Sequence, residues 1–466
     1  QFTVVAILML EEQGKLSLDD PLTKFVPDYP TLGKTITIHH LLNHTSGIKS
    51  YTDIGNLVEV ASNDMTLDEL IDYFKNEPMD FDPGEAFNYN NSGYVLLGKI
   101  IEVISNDTYE NFIEKTIFER LGMTNSSYGN NRELVKNRVE AYEEAENGYV
   151  NASYLSMTIP HAAGALISTI DDMLKWQNAL TNNTLITAAS LDKAINGSDL
   201  NSGEHLDYGY GLGELNLKGS KGYTHSGGIF GTSTNGIYLI EEDVYVIGLS
   251  NCSCNDIETI TRNLAATAIG KPYPTMKDVI KLSEDKLKQW VGAYEFEDGA
   301  IRHIFIKDGQ LNSMRESETN TTFEIFPLSD HRFMFADSGI EYKFSTSKDG
   351  KRQALFITDS ENMGKEVDKP MPKARKEVAL SNSILKQYAG KYELAPNFHV
   401  EITVDGNQIF AQATGQGKFE LFAENETKFF AKITALSVKF NKNTSDIVES
   451  FNLYQGGQDT FAKKVD

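Results

Sequence analysis

Cysteine is nearly missing from this chain: its 466 residues include two, Cys252 and Cys254, with one residue between them. Two thiols cannot staple a disulfide scaffold or complete a four-ligand zinc site. Neighbours this near in sequence seldom bridge each other, so both are expected to be packing residues at a strand end. Basic residues are also in short supply. Lys and Arg total 43 against 66 Asp and Glu, a net charge of −23, which disfavours nucleic acid and anionic membrane surfaces as partners. No apolar run reaches the length that spans a bilayer. The first periodic segment has no start methionine, signal peptide or capping residue before it. There Phe2, Val4, Val5, Ile7, Leu8, Met9 and Leu10 make a helix apolar on nearly every side, ended by Gly14. Such a helix is buried. Beginning it at residue 1 without an N-cap leads to the expectation that the sequence opens partway through a domain, with its cellular address unreadable.

Apolar and aromatic residues are plentiful. Forty per cent apolar content with 25 Phe and 21 Tyr supports sizeable cores, and the length accommodates two to four domains. The stretch that organises the rest is residues 83–102, PGEAFNYNNSGYVLLGKIIE. Pro83-Gly84 is a turn pair. From Tyr94 the apolar residues recur at helical spacing, so a buried helix is predicted from near Ser92, with Tyr89, Asn90 and Asn91 in the loop that feeds it. A rigid core helix would hold a phenol and a carboxamide in fixed positions, as catalytic side chains often are. The competing reading is a packing Tyr and a helix-capping Asn.

Residues 35–42 (TITIHHLL) lead into Asn43-His44-Thr45-Ser46-Gly47. His40 and His44 stand four apart and could share a helical face. No Glu or third ligand stands at the spacing of a zinc-protease helix, so no metal is assigned. Thr66 and Glu69 form a capping box for a helix over 67–74. Helical periodicity returns over 109–121, and Ser168-Thr169 caps another helix that runs to about Leu180. Then the period changes. Strands are predicted around 223–228, 233–240 and 244–249, with turns at Gly231 and 241–243, followed by a helix over 257–269. Helices first and an antiparallel meander later is an α+β arrangement.

Beyond residues 271–274 the texture becomes short alternating strands with Gly and Asn turns, and the sequence repeats itself. LKQWVGAYE at 287–295 matches LKQYAGKYE at 385–393, and FEIF at 323–326 matches FELF at 419–422. Two copies in the same order point to duplication. Each is long enough for a small antiparallel barrel or meander, with the basic stretch 365–376 as the linker. The domains expected are therefore 1–272, 285–364 and 384–466.

Three stretches of the first domain, TIHHLLNHTSG at 37–47, Tyr89-Asn90-Asn91, and His225-Ser226-Gly227-Gly228, together resemble the serine β-lactamase and penicillin-binding-protein superfamily. The likeness is greatest to class C β-lactamases and related esterases and D-aminopeptidases, and it covers about residues 1–270. Residues 1–12 resemble the stretch that follows the family's Ser-x-x-Lys motif. The resemblance implies a β-lactamase-like domain, an antiparallel sheet flanked by helices plus a helical lobe, followed by two lipocalin-like all-β repeats. It implies acyl transfer from a lactam, D-amino-acid peptide or ester to a Ser that would lie before Gln1, then to water, with no metal or organic cofactor. Tyr89 would be the general base, and Asn91 would bond the substrate amide or the Lys. His225 takes the place of the Lys in the Lys-Thr-Gly strand motif, Gly227 and Gly228 leave the strand edge bare, and the Gly228 N–H serves the oxyanion. Secretion to the periplasm or cell exterior is implied in the same way. Four literal Ser-x-x-Lys strings, beginning at Ser46, Ser190, Ser283 and Ser383, stand in the wrong settings, so the chain as it stands is expected to be inactive. Tyr89 and His225 are expected to meet at the N-terminal tip of the first helix. Two rivals remain: a non-catalytic ligand- or peptidoglycan-binding homologue, and a reading in which the β repeats bind ligands.

Overall fold

The opening segment is apolar all round, and α1 (Phe2–Glu12) is accordingly buried from Thr3 to Leu10. Its one interior hydroxyl does not go unpaired: Thr3 Oγ1 donates to the Ala162 carbonyl and bonds the Tyr109 hydroxyl, both at 2.7 Å. The computed structural model describes residues 1–466 except 56, 146–147, 318–320, 337, 359, 373–376, 396–397, 414–416, 433–435, 456–457 and 466. It divides into two compact units, Gln1–Tyr273 and Pro274–Asp466.

In the first unit α2 (Ile38–Leu42) starts at Thr37, whose hydroxyl accepts from the His40 N–H. The helix α3 (Leu67–Phe74) has the capping box expected of Thr66 and Glu69. Its neighbour α4 (Asn91–Ser105) is the hub, packing against α1, α2, α3, Tyr109–Ile113 and His161–Gly164. The buried Val95, Leu96, Leu97, Ile100 and Ile101 explain why so many elements can share it. Next comes α5 (Ile170–Thr181), capped by Thr169.

Four antiparallel strands follow in chain order: β1 (Gly213–Leu217), β2 (Ser220–Ile229), β3 (Thr232–Leu239) and β4 (Val244–Ser250). Three were expected. Strand β1 is short and glycine-flanked, so its alternation gives little signal. One face of the sheet meets α6 (Ile257–Ala268), where Leu215, Leu217, Ile237 and Leu239 pack with Ala265 and Ala266. From the other face Tyr223 and Tyr238 join the main core. Strand β4 closes the order with no further strand beside it among the described residues. Beyond it Cys252 and Cys254 are joined by a disulfide, a correction to the packing role expected of them. The turn brings their Cα atoms to 5.1 Å, inside the range a bridge requires.

The second unit holds two closed eight-stranded antiparallel barrels, Gly292–Phe296 through Glu361–Val367 and Gly390–Ala395 through Gln458–Lys464. The first barrel's last strand runs to Val367, past the limit expected at 364, so only part of the 365–376 stretch can link the barrels; its residues 373–376 lie outside the described residues. The repeated motif does the same work twice. Tyr294 Oη donates to the Trp290 carbonyl and Tyr392 Oη to the Tyr388 carbonyl, each at 2.8 Å. In the first barrel Tyr294, Phe333, Tyr342 and Phe344 are buried and pack ring on ring. Tyr388, Tyr392, Phe440 and Phe451 do so in the second. Of the aromatics the two copies share, Trp290 and Tyr388, and Tyr294 and Tyr392, are core residues, whereas Phe323 is exposed.

Candidate active site

The loop carrying Tyr89 is held by the turn that follows α2. Backbone N–H groups of Asp80, Gly84 and Asn88 donate to the carbonyls of Gly47, Thr45 and His44 at 2.8, 2.8 and 3.0 Å. The Asn90 N–H donates to His44 Nδ1 at 2.9 Å, and its carboxamide donates to the Ile48 carbonyl. Asn90 also caps α4, its Oδ1 accepting from the Gly93 N–H at 2.8 Å. The helix therefore begins at Asn91, next to the expected Ser92, with Asn90 as its cap and Asn91 inside the helix instead of in the loop.

Tyr89 emerges between these anchors, 44% exposed. Its ring lies over His44 with centroids 4.2 Å apart, meets Tyr208 edge-on at 6.4 Å and stands 6.2 Å from His225. His44 also stacks on Tyr94 at 4.9 Å. Tyr208 Oη sits 3.3 Å from His44 Nε2 and 3.1 Å from His225 Nε2, while His225 Nδ1 is 2.6 Å from the Ser226 carbonyl. The tip of α1 reaches the same place. A Cβ built on Gly211 would stand 3.2 Å from Tyr94 Oη and 3.5 Å from the Gln1 nitrogen.

The electrostatics follow from burial. It pushes His44 down to about 3, with help from His225, and His225 down to about 4. Both imidazoles are neutral at pH 7. Burial raises the Tyr89 phenol as well.

Of the five residues singled out in the sequence, Tyr89 and His225 come together. Gly227 and Gly228 continue β2 past His225. Strand β1 pairs only as far as Thr224, so residues 225–229 keep one edge without a strand, and a Cβ on Gly228 would meet nothing nearer than the Thr232 oxygen at 3.8 Å. Asn91 is the first residue of α4, its carboxamide aimed at the Thr52 hydroxyl 3.4 Å away. The Ser-x-x-Lys strings are occupied otherwise. Lys49 pairs with Asp80, Lys193 with Glu11 and Lys286 with Asp330, and Ser190 Oγ donates to Glu12 at 2.6 Å. His40 and His44 do not share a face: His40 Nδ1 accepts from the Thr37 N–H, and His44 lies past the helix with φ +60°. Among the described residues His205, Asp207 and Glu214 place ligand atoms within 4.8 Å of one another. They are exposed, and His205 already bonds Asp199 and Glu214 at 2.8 and 3.4 Å.

Sequence reasoning missed Tyr208 and treated His44 only as a possible metal ligand or part of a motif. Tyr208 stands in no pattern that distinguishes it from the other tyrosines.

A helical lobe built on a central helix, an antiparallel sheet backed by a helix, and a Tyr and a His meeting between them define the β-lactamase-like class. The chain belongs to the Beta-lactamase family, whose model matches residues 1–268; residues 374–464 match a domain of unknown function, DUF3471. Penicillin-binding protein 4* of Bacillus subtilis is 31% identical over 391 residues, 77% of this chain and 83% of that protein. The octameric penicillin-binding protein homologue from Pyrococcus abyssi has a similar structure, with TM-score 0.52 and 28% identity over 78% of this chain and 86% of that one. A penicillin-binding protein from Bacillus halodurans gives 0.51 and 30%, over 57% and 82%. No helix among the described residues is long and apolar enough to cross a membrane.

Proposed function

We propose that this chain is the greater part of a serine hydrolase that transfers an acyl group from a lactam, D-amino-acid peptide or ester to a Ser, and then to water. The observation that carries the proposal is the meeting of Tyr89 and His225, rings 6.2 Å apart, beside the tip of α1. The Ser-x-x-Lys of the family pattern would stand just before Gln1, at that tip. The Ser oxygen would add to the substrate carbonyl as its proton passes to Tyr89. The leaving nitrogen or oxygen then takes that proton as its bond to the carbonyl carbon breaks, and water releases the acyl group by the reverse path. Tyr89 as it stands is a weak acid raised by burial; the neighbouring Lys ammonium would bring it down to serve as base. Asn91 would orient the substrate amide, and the Gly228 N–H would face the oxyanion from the bare edge of β2. The kinship with penicillin-binding proteins supports a place at the cell envelope, in the periplasm or outside the cell.

The test joins the coding sequence upstream of Gln1 to this chain and assays nitrocefin and a p-nitrophenyl ester. Turnover should appear with the extension and fall at least ~100-fold in Tyr89→Phe. Turnover by the 466-residue chain itself, abolished by Tyr89→Phe, would overturn the placement of the nucleophile. An upstream sequence without Ser-x-x-Lys would make the protein a binding homologue.

A further inference from the structure

Four hydrogen bonds under Tyr89 run in one direction, and the direction is forced. The Asn90 amide is a donor, so His44 Nδ1, 2.9 Å away, must offer a lone pair. A neutral His44 then carries its proton on Nε2 and donates to Tyr208 Oη. At the other end the Ser226 carbonyl can only accept, so His225 Nδ1, 2.6 Å from it, carries the proton. A neutral His225 therefore presents a lone pair at Nε2, and Tyr208 must spend its only proton there. Tyr94 donates its own proton to the Leu42 carbonyl at 3.0 Å.

The chain reads Asn90 N–H to His44, His44 to Tyr208, Tyr208 to His225, His225 to Ser226. It joins the N-cap of α4 to β2. It cannot carry a proton along its length, because moving each proton one step would leave a backbone amidate at Asn90 and a protonated carbonyl at Ser226. Its effect is to fix two tautomers and three ring orientations. Tyr89 rests on that floor, over His44 and against the edge of Tyr208. The hydroxyl of Tyr89 has no partner among the described residues, whereas every polar atom of the three rings beneath it is committed.

We infer that Tyr208 is a positioning residue of this site: with His44 it holds the ring of His225, in the Nδ1–H form that the Ser226 carbonyl selects, and the aromatic floor that aims the Tyr89 hydroxyl. His225 then shapes the cleft and does not hand a proton to substrate. The catalytic consequence rests on the hydrolase reading above; the hydrogen-bond chain does not.

The test is long-range proton–nitrogen NMR on the full chain with 15N-labelled histidine, assigned with His44→Gln and His225→Gln. His44 should have a bare Nδ1 and a protonated Nε2, and His225 the reverse. Tyr208→Phe should leave His225 protonated on Nδ1 but shift its Nε2 nitrogen resonance, which loses its donor, while Tyr94→Phe leaves it unchanged. A wild-type His225 protonated on Nε2 overturns the inference without any variant, and so does an unchanged His225 in a folded Tyr208→Phe. In the extended, active protein Tyr208→Phe should lower kcat about tenfold with KM unchanged, as loss of a hydrogen bond or two would. Tautomers as stated with no hydrolysis by any form sink the hydrolase reading alone. Tyr89-dependent hydrolysis with the opposite tautomers sinks the chain alone.

Discussion

Asn90 and Asn91 differ in what they hold, although the sequence presents them as a pair. Asn90 is 3% exposed; its Oδ1 caps α4 and its carboxamide reaches the Ile48 carbonyl. Alanine there removes a cap, costing about 1 kcal/mol, and leaves a buried carbonyl without its donor, about 1–3 kcal/mol more. Asn90→Ala should therefore lose roughly 2–4 kcal/mol in urea unfolding. Asn91 makes one long side-chain bond, to Thr52 at 3.4 Å, so Asn91→Ala should stay within about 0.5 kcal/mol. Equal losses would mean that the two asparagines share the anchoring. At this scale Tyr89 and His225 could be picked out because the stretches around them resemble a family's motifs. Tyr208 could not, since its importance comes from hydrogen-bond partners at separations of 164 and 17 residues (His44 and His225) that no local pattern records.

The element that places Tyr89 is the turn after α2, and Gly47 is its tightest point. Gly47 has φ +71°, and a Cβ there would stand 1.9 Å from the Phe81 carbonyl oxygen. The same residue's carbonyl receives the Asp80 N–H at 2.8 Å, so the turn cannot yield without releasing the 80–90 loop. Gly47→Ala should cost more than about 2 kcal/mol, the sum of left-handed strain and the clash. Amides of Asp80, Gly84 and Asn88 should lose hydrogen-exchange protection. Gly14→Ala is the control: φ is +67° with nothing within 4 Å, so it carries only the conformational penalty of about 1 kcal/mol. Matching losses, or a loop that stays protected, would show that the turn does not set the loop. Elements with a strong period were legible: α1, α3, α4 and the sheet's three longer strands. Those carried by a few residues were not. Strand β1 (five residues) and the hairpin of Tyr142–Ala145 with Gly148–Asn151 are stabilised by pairing made at a distance, which leaves little periodicity to read.

For the whole molecule, the repeat in the sequence was enough to expect two like β modules, because duplicated cores need duplicated aromatics. It could not say that each closes into a barrel, since closure depends on the pairing of Glu361–Val367 with Gly292–Phe296 and of Gln458–Lys464 with Gly390–Ala395, first strand to last. The buried apolar clusters obey the same partition. Those of the first unit draw on no residue beyond Tyr273, and those of the barrels on none before Leu282. Separate cores should melt as separate cooperative blocks, so a single unfolding free energy does not describe the chain. Phe344, 1% exposed, packs against Trp290, Tyr294, Phe333 and Tyr342, and Phe344→Ala should cost its barrel about 3–5 kcal/mol. Leu97, fully buried in α4, should cost the first unit about 2–5 kcal/mol when cut to Ala. In scanning calorimetry each variant should move one endotherm down and leave another at its wild-type temperature, with the two variants moving different ones. If both substitutions displaced the same endotherm by the same amount, the cores would be melting as one, and Tyr89 would depend on the barrels for its stability.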